Sequence, residues 1–91
     1  MPTRRIFVHG RVQGVSFRMW AVDHARRLGL AGWVRNRHDG RVEMLVKGPA
    51  ERITELATLC WKGPELAKVD GVDVEAAEGD VPAGFEERMT V

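Results

Sequence analysis

Apolar and polar residues alternate with a period of two in several stretches of the chain, which is the pattern of a half-buried strand. In the stretch from Arg4 to Arg11, Ile6 and Val8 fall on one face, and Phe7 and His9 fall on the other. Four further strands are predicted at residues 31–36, 41–47, 66–76 and 85–91, and the alternation is clear at Val42, Met44 and Val46. The chain is therefore rich in strands.

Two other stretches repeat their apolar residues every three or four positions, as an amphipathic helix does. The first runs from Phe17 to Leu28, and Gly29 follows it as a residue that can end a helix in the left-handed conformation. The second opens at Gly48-Pro49, because proline suits the first helical turn, and it closes at residues 62–64.

Two local signals describe how the strands are joined and paired. Asp39-Gly40, between the second and third strands, is a strong signal for a β-hairpin turn. In the fourth strand the alternation loses phase between Val69 and Val72, which predicts a β-bulge near Asp70-Gly71.

The order of elements is β-α-β-β-α-β, with a last stretch that can form a fifth strand. This order is typical of the split-βαβ, ferredoxin-like sandwich among the α+β folds. It predicts two helices packed on one face of a mainly antiparallel sheet of four or five strands. With 91 residues and no internal repeat, residues 1–91 are expected to form a single domain. The pattern describes a fold and leaves the function open.

Composition excludes several classes of protein and sets the scale of any site. Apolar residues make up 44% of the chain and charged residues 30%, as in an ordinary globular protein. A chain this small leaves little room for a deep cavity, so we expect a shallow cleft built by loops. The longest apolar run, residues 28–34, is too short to span a membrane, and no signal peptide is evident. The single cysteine excludes an internal disulfide, which favours a reducing, cytoplasmic location.

Charge is distributed unevenly although it nearly cancels overall. The formal net charge is +1, yet residues 1–47 hold ten Lys or Arg and three Asp or Glu, a net charge of +7. Residues 48–91 hold four Lys or Arg and ten Asp or Glu, a net charge of −6. Two interpretations are open: the two parts pair across the surface, or the first part presents a site for an anion.

The loop between the first strand and the first helix has features of an anion-binding site. Gly10 and Gly14 permit unusual backbone angles and the close approach of a ligand. The loop leads into a helix N-terminus, where unpaired N–H groups and the helix dipole attract anions. Arg18, in the first helical turn, can direct two donors at phosphate or carboxylate oxygens. The alternative is a tight turn followed by a solvated arginine.

Topology adds Asn36 to the same region. The strands on either side of the first helix form a βαβ unit and run parallel, so their carboxyl ends lie at one edge of the sheet. The glycine-containing loop leaves one of these ends, and Asn36 lies at the other. A backbone cradle and a side-chain amide can therefore share one cleft. The alternative is that Asn36 merely begins the hairpin turn.

Two motifs in these regions resemble the signatures of a known family. Residues 10–18 read GRVQGVSFR, residues 32–42 read GWVRNRHDGRV, and Gly48 follows six residues later. The chain thus resembles the acylphosphatases over nearly its whole length, and two linked motifs at matching spacing make the resemblance specific. It departs from the family in its last stretch, which lacks the terminal tyrosine of some members.

The resemblance implies a single acylphosphatase-like domain that hydrolyses the bond between a carboxyl group and phosphate. Arg18 would bind the phosphate oxygens, and Asn36 would orient the attacking water. The loop that cradles the phosphoryl group through backbone N–H groups would comprise Gln13, Gly14, Val15, Ser16, Phe17 and Arg18. No metal ion or organic cofactor would be needed.

The implied partners are a small acyl phosphate as substrate and inorganic phosphate, or a similar anion, as product or inhibitor. No nucleic acid or membrane is expected, and nothing requires more than a monomer. The leaving group is a stable carboxylate, so no general acid is needed. The sequence offers no evident base near Asn36, so an oxygen of the substrate's own phosphate is expected to take the proton. Ser16 would cap the helix or touch the phosphate through its hydroxyl.

Cysteine and histidine offer further candidates for chemistry, and each has a structural interpretation. Cys60 lies on the apolar face of the second helix and is expected to be a buried small residue rather than a nucleophile. His9, His24 and His38 lack the spacing of metal ligands. We expect His24 to be packed in the core and hydrogen-bonded, and His38 to be solvated in the hairpin turn.

Aromatic and basic residues outside the loop are also expected to be structural. Core packing is the expected role of the three tryptophans, which are Trp20, Trp33 and Trp61. The third strand carries no aromatic residue, which argues against an RNA-binding sheet. Arg35, Arg37 and Arg41 are expected to form a solvated basic rim that helps to attract an anionic substrate.

Two classes of function remain compatible with these residues: an acylphosphatase, and a non-catalytic domain that binds an anion in the same cradle. The presence of Asn36 beside Arg18 favours the enzyme, because a phosphate binder has no need to orient water. A third class is the acylphosphatase-like domain at the start of a large carbamoyl-transferring maturation protein. The end of the chain at Val91 leads us to expect a stand-alone protein instead.

Overall fold

A computed structural model describes all 91 residues and contains five strands and two helices. In chain order the elements are β1 (Thr3–Arg11), α1 (Phe17–Arg27), β2 (Ala31–Asn36), β3 (Val42–Lys47), α2 (Ala50–Cys60), β4 (Lys68–Ala76) and β5 (Phe85–Arg88). Every predicted element is present, and the largest difference is that β5 stops at Arg88 rather than continuing to the last residue. Neither helix is both long and apolar enough to cross a membrane.

The five strands form one sheet in the order β4-β1-β3-β2-β5. The central strand β3 pairs antiparallel with both β1 and β2, so β1 and β2 run parallel to each other. Strand β4 pairs antiparallel with β1, and β5 pairs parallel with β2. The predicted ferredoxin-like arrangement is confirmed, and it places the carboxyl ends of β1 and β2 at one edge of the sheet.

Both helices pack on the same face of the sheet, and one core fills the space between the two layers. Its buried side chains include Ile6, Val8, Phe17, Ala21, Ala25, Val34, Met44, Val46, Ile53, Leu56, Cys60 and Phe85. Burial of each large apolar side chain contributes about 1.5–3 kcal/mol, so this layer holds α1, and the loop that precedes it, firmly on the sheet.

The end of α1 shows how a local signal sets an element boundary. Gly29 turns the chain with a φ of 70°, in the left-handed region. The N–H of Gly29 donates to the carbonyl of Arg26 at 3.1 Å, and the N–H of Leu30 donates to the carbonyl of Ala25 at 3.0 Å. These bonds satisfy the last helical carbonyls in a Schellman motif. The predicted left-handed stop is confirmed.

The predicted bulge is also present, between β1 and β4. His9 pairs with Gly71, and the next residue, Gly10, pairs with Val69. Asp70 is therefore the extra residue on β4. A Cβ atom at Gly71 would clash with the ring of His9 in its present position, so any larger residue would displace this exposed side chain.

The face of the sheet opposite the helices is organised around Glu43. This side chain is 2% exposed, and it accepts hydrogen bonds from Arg5, from Arg35 at 2.8 Å and from Arg37 at 3.1 Å. Burial by itself would raise the pKa of Glu43, but the hydrogen bonds from the three guanidinium groups outweigh it and lower the pKa. Pairing thus keeps the buried carboxylate ionised.

The predicted basic rim is half-exposed, but its arginines are paired rather than simply solvated. Arg35 and Arg37 pair with Glu43, and Arg41 pairs with Asp39 at 2.8 Å. The hydrogen bonds from Arg41, and then from Arg37, hold the pKa of the Asp39 carboxyl well below its usual range. The hairpin brings Asp39 and Glu43 back onto these arginines, so their positive charge is offset in part.

Pairing between the oppositely charged parts of the chain is limited to the β1–β4 edge. Arg5 lies 3.9 Å from Glu75, and His9 lies 3.8 Å from Asp73. All other ion pairs form within one part of the chain, mainly on the β2–β3 hairpin. The interpretation that the two parts pair across the surface therefore holds only at this edge.

The tryptophans have three different environments. Trp33 is 5% exposed and lies on the face opposite the helices, with the guanidinium carbon of Arg35 4.4 Å from its ring centre. Trp20 is half-buried against the core. Trp61 is 55% exposed, so its predicted place in the core is wrong. It is the C-cap residue of α2, beyond the last residue that the helix directs at the sheet.

Candidate active site

One open cleft lies where the loop after β1 enters α1, beside the carboxyl end of β2. Its volume is about 360 Å³, which is within the range of small-molecule sites. The lining residues are Val12, Gly14, Ser16, Phe17, Arg18, Met19, Asn36 and Glu87. The structure therefore brings Arg18 and Asn36 together, as the topology of the βαβ unit predicted.

A second groove, between α2 and β4, has a volume of about 250 Å³. Its walls are mainly apolar and include Ile53, Trp61 and Val74. Arg4 is its only charged residue, and no side-chain amide lies beside it. The convergence of polar groups that marks a site for a small anion is found in the cleft at α1 and not in this groove.

The loop of the cleft contains two residues with a left-handed backbone. The φ values are 75° at Gly14 and 64° at Ser16, which is the only non-glycine residue with a positive φ. A side chain in this region costs about 1–2 kcal/mol, and strained residues tend to occur at functional loops. The fold holds this conformation because the flanking Val15 and Phe17 are buried.

Ser16 occupies the N-cap position of α1, but its side chain makes no capping hydrogen bond. Capping residues usually have an extended backbone, which directs the hydroxyl back at the free N–H groups of the helix. The left-handed backbone of Ser16 removes that geometry, so the predicted capping role of its hydroxyl is wrong. A contact between the hydroxyl and phosphate stays a prediction.

Arg18 is the cation of the cleft. It is half-buried in the first turn of α1, a turn that contains no acidic residue. It forms no ion pair and no side-chain hydrogen bond, whereas Arg35 and Arg37 on the other face of the sheet are held by Glu43. A guanidinium without a protein partner, beside a helix N-terminus, is available to an anion.

Asn36 is the amide of the cleft and the last residue of β2. Its backbone is held on one side by β3, where it is in register with Val42. On the other side its carbonyl accepts a hydrogen bond of 3.1 Å from the N–H of Val91. Its half-buried side chain makes no hydrogen bond within the protein, so the alternative of a simple turn residue is not observed. The amide is free to hold a ligand.

Gln13 and Val15 do not line the cleft, although they belong to the predicted cradle. The side chain of Gln13 is directed at the β2–β3 hairpin, and the side chain of Val15 is packed in the core. Of the six residues predicted to bind phosphate, the structure places Gly14, Ser16, Phe17 and Arg18 on the cleft wall.

Glu87 lines the cleft from β5 and was not predicted from the sequence. It lies opposite Val34 in the parallel pairing of β5 with β2, on the same face as the buried Phe85. A signal was available, because position 87 is in phase with Phe85 and Met89. A carboxylate among the apolar residues of one strand face indicates that this part of the face has polar neighbours.

Cys60 and His24 lie outside the cleft. Cys60 is fully buried on α2, and burial raises the pKa of its thiol to about 12, so its structural role is confirmed. The ring of His24 packs against Trp20 with 4.4 Å between centres, but it makes no hydrogen bond, so that part of the prediction is wrong. No three His, Cys, Asp or Glu side chains lie together as metal ligands would.

Comparison with known proteins agrees with this fold. The acylphosphatase family model matches residues 4–87. An acylphosphatase of Rhizorhabdus wittichii is 51% identical over 88 residues, which cover 97% of this chain and 89% of that protein. An acylphosphatase of Acidiphilium cryptum is 49% identical over 90 residues, which cover 99% of both chains.

The fold is similar to a solved structure of the same family. The acylphosphatase from Coxiella burnetii matches with a TM-score of 0.90 and 34% identity, covering 96% of this chain and 92% of that chain. The matches in sequence and in structure both span the loop, Arg18 and Asn36. The chain therefore belongs to the acylphosphatase family, enzymes that hydrolyse acyl phosphates to a carboxylate and inorganic phosphate.

Proposed function

We propose that Arg18 and the loop of residues 13–18 bind the phosphoryl group of the acyl phosphate, and that Asn36 orients the attacking water. The observation that carries this proposal is the meeting of an unpaired guanidinium and a free side-chain amide in one cleft at the start of α1. The left-handed residues Gly14 and Ser16 support the role of the loop, since turns of this kind form backbone nests for anions.

Each group has a distinct role in this proposal. The guanidinium of Arg18 donates two hydrogen bonds to phosphoryl oxygens, and the helix N-terminus adds its dipole and its unpaired N–H groups. The side-chain carbonyl of Asn36 accepts a hydrogen bond from water and aims the oxygen at phosphorus. Phosphoryl transfer demands mainly positioning and charge stabilisation, so preformed donors on a rigid fold are sufficient.

The proposed reaction is a displacement at phosphorus. The water oxygen forms a bond to phosphorus while the bond from phosphorus to the carboxyl oxygen breaks, and the carboxylate leaves with that electron pair. A carboxylate is stable as an anion, so the leaving oxygen needs no proton. The proton of the water passes to a non-bridging oxygen of the phosphoryl group. A substrate analogue with less basic phosphoryl oxygens should react more slowly, and an unchanged rate would contradict this step.

The test is the hydrolysis of benzoyl phosphate in the presence of a chelator, with inorganic phosphate as competitive inhibitor. Arg18→Ala should lose both turnover and inhibition by phosphate. Asn36→Ala should keep the inhibition constant of phosphate and lower kcat by about a hundredfold, the scale seen when a positioning group is removed. Arg27→Ala is the matched control, because this arginine is exposed at the opposite end of α1.

Three outcomes would contradict the proposal. If Asn36→Ala weakened phosphate inhibition as much as Arg18→Ala, the assignment of roles would be wrong. A large loss of wild-type rate with the chelator would show that a metal takes part. If the wild type bound phosphate without turning over substrate, the cleft would be a binding site of the non-catalytic class.

A further inference from the structure

Glu87 is a carboxylate of the cleft with no partner in the protein. It lies on the helix-facing side of β5, where it lines the cleft together with Arg18 and Asn36. It is exposed, and it forms neither an ion pair nor a hydrogen bond. Its neighbour Glu86 faces the other side of the sheet and pairs with Arg88 at 3.3 Å. The two adjacent carboxylates therefore differ in their surroundings, and only that of Glu87 lines the cleft.

A negative side chain in a site for a negative group must influence what binds there. Its Coulomb repulsion lowers the affinity for an anion, and the loss grows with the charge of that anion. For the phosphoryl group, Arg18 and the start of α1 offset the repulsion. Beyond the loop and Arg18, the remaining wall of the cleft is formed by Met19, Asn36 and Glu87, so an acyl group attached to a phosphoryl group at the loop would face these residues. Glu87 is the only charged group among these three.

We propose that Glu87 makes the enzyme select substrates by the charge of the acyl group. Acyl phosphates with an uncharged or positively charged acyl group, such as an aminoacyl phosphate, are favoured, and those with a second carboxylate or phosphate are disfavoured. This inference rests on the proposed function, which places the phosphoryl group at the loop and Arg18. Glu87 is a specificity-determining residue here, and it forms no bond and transfers no proton.

Glu87→Gln removes the charge while it keeps the size and polarity of the side chain. Glu86→Gln is the matched control, because it removes the same charge from the next residue, on the opposite face of the sheet. The measurement is kcat/KM for benzoyl phosphate and for its para-carboxylate and para-trimethylammonium derivatives. Each variant is compared with the wild type on the same substrate, so the intrinsic reactivities of the three substrates cancel.

Relative to benzoyl phosphate, Glu87→Gln should raise kcat/KM for the carboxylate derivative by about three- to tenfold, the scale of one charge interaction near a protein surface. It should lower kcat/KM for the trimethylammonium derivative by a similar factor. Added salt should reduce both changes, because it screens the exposed carboxylate. Glu86→Gln should leave both ratios as in the wild type.

The proposal is overturned if kcat/KM of the two derivatives, each divided by that of benzoyl phosphate, is the same in the wild type and in Glu87→Gln. A shift of the same size in Glu86→Gln also overturns it, since the effect would then belong to the net charge of the protein. These results differ from a failure of the proposed function. If the wild type hydrolyses benzoyl phosphate and the ratios are the same in Glu87→Gln, only this inference fails and the proposed function stands. If the wild type hydrolyses none of the three substrates, both fail.

Discussion

The side-chain amide of Gln13 joins the loop after β1 to the residue that follows Asn36. Its Nε2 atom donates a hydrogen bond of 2.7 Å to the backbone carbonyl of Arg37, and a second bond of 3.0 Å to the carbonyl of Arg41. These carbonyls lie on either side of the hairpin turn. The amide therefore connects the two parts of the cleft that carry Arg18 and Asn36.

Removal of this amide should loosen the connection. We expect Gln13→Ala to lower the free energy of unfolding by about 1–2 kcal/mol, the value of two hydrogen bonds to part-buried carbonyls. Gln13→Glu should cost more, because it directs carboxylate oxygens at two carbonyl oxygens. The melting temperature and kcat should both decrease in the order wild type, Gln13→Ala, Gln13→Glu. A Gln13→Glu variant as stable as the wild type would show that the amide hydrogen bonds contribute nothing.

The left-handed backbone of Ser16 leads to a prediction that separates strain from chemistry. Ser16→Gly should raise the free energy of unfolding by about 0.5 kcal/mol, because relief of the left-handed conformation exceeds the extra entropy of glycine in the unfolded chain. Ser16→Val should lower it by about 2 kcal/mol, because a β-branched side chain fits this region poorly.

The same variants test the hydroxyl of Ser16. Ser16→Gly should retain the turnover of the wild type if the hydroxyl has no role in binding. The measurement is the inhibition constant of phosphate together with the melting temperature. A weaker inhibition by phosphate in a Ser16→Gly variant that melts no lower than the wild type would assign the hydroxyl to the phosphate instead.

The pairing of Glu43 with three arginines predicts a loss of stability in acid. Its pKa is lower in the folded protein than in the unfolded chain, so the folded state holds the proton less tightly. The resulting stabilisation is fully present above the unfolded pKa of about 4.3, and it is lost as the pH falls through the folded pKa. The melting temperature should therefore begin to decrease steeply as the pH is lowered below the unfolded pKa.

Glu43→Gln isolates this contribution. At neutral pH the variant should be less stable by about 2–3 kcal/mol, because three half-buried guanidinium groups lose their shared carboxylate. Below the pH at which Glu43 is protonated, the melting temperatures of the wild type and the variant should converge. Parallel curves from neutral to acid pH would show that other groups control the acid transition.

Burial of Cys60 predicts that its thiol is inert in the folded protein. Its pKa is raised to about 12, so almost no thiolate is present at pH 8. An alkylating reagent should leave the native enzyme active and unmodified, and it should label the thiol once denaturant is added. Cys60→Ala should keep kcat and cost about 1–2 kcal/mol of stability. Rapid labelling of the native protein would contradict this placement.

Much of the fold could be predicted from local patterns, and the cleft only in part. Strand β3 follows from the alternation of Val42, Met44 and Val46. The end of α1 follows from Gly29, because helix stops depend on a few neighbouring residues. Arg18 and Asn36 could be placed together because a βαβ crossover constrains two strand ends at once. The contacts of the Gln13 side chain could not be predicted, because its partners are backbone carbonyls that come together only in the folded hairpin.

By itself, the sequence determined the order of elements, the ferredoxin-like class, the family and the two polar residues of the cleft. These depend on period, turn residues and motif spacing, all of which lie along the chain. The tertiary structure decided where the charges meet. Arg35 and Arg37 are held by Glu43, and Glu87 reaches the cleft, because strand order and register set those distances. Coulomb and hydrogen-bond energies depend on separation in space, which no local pattern records.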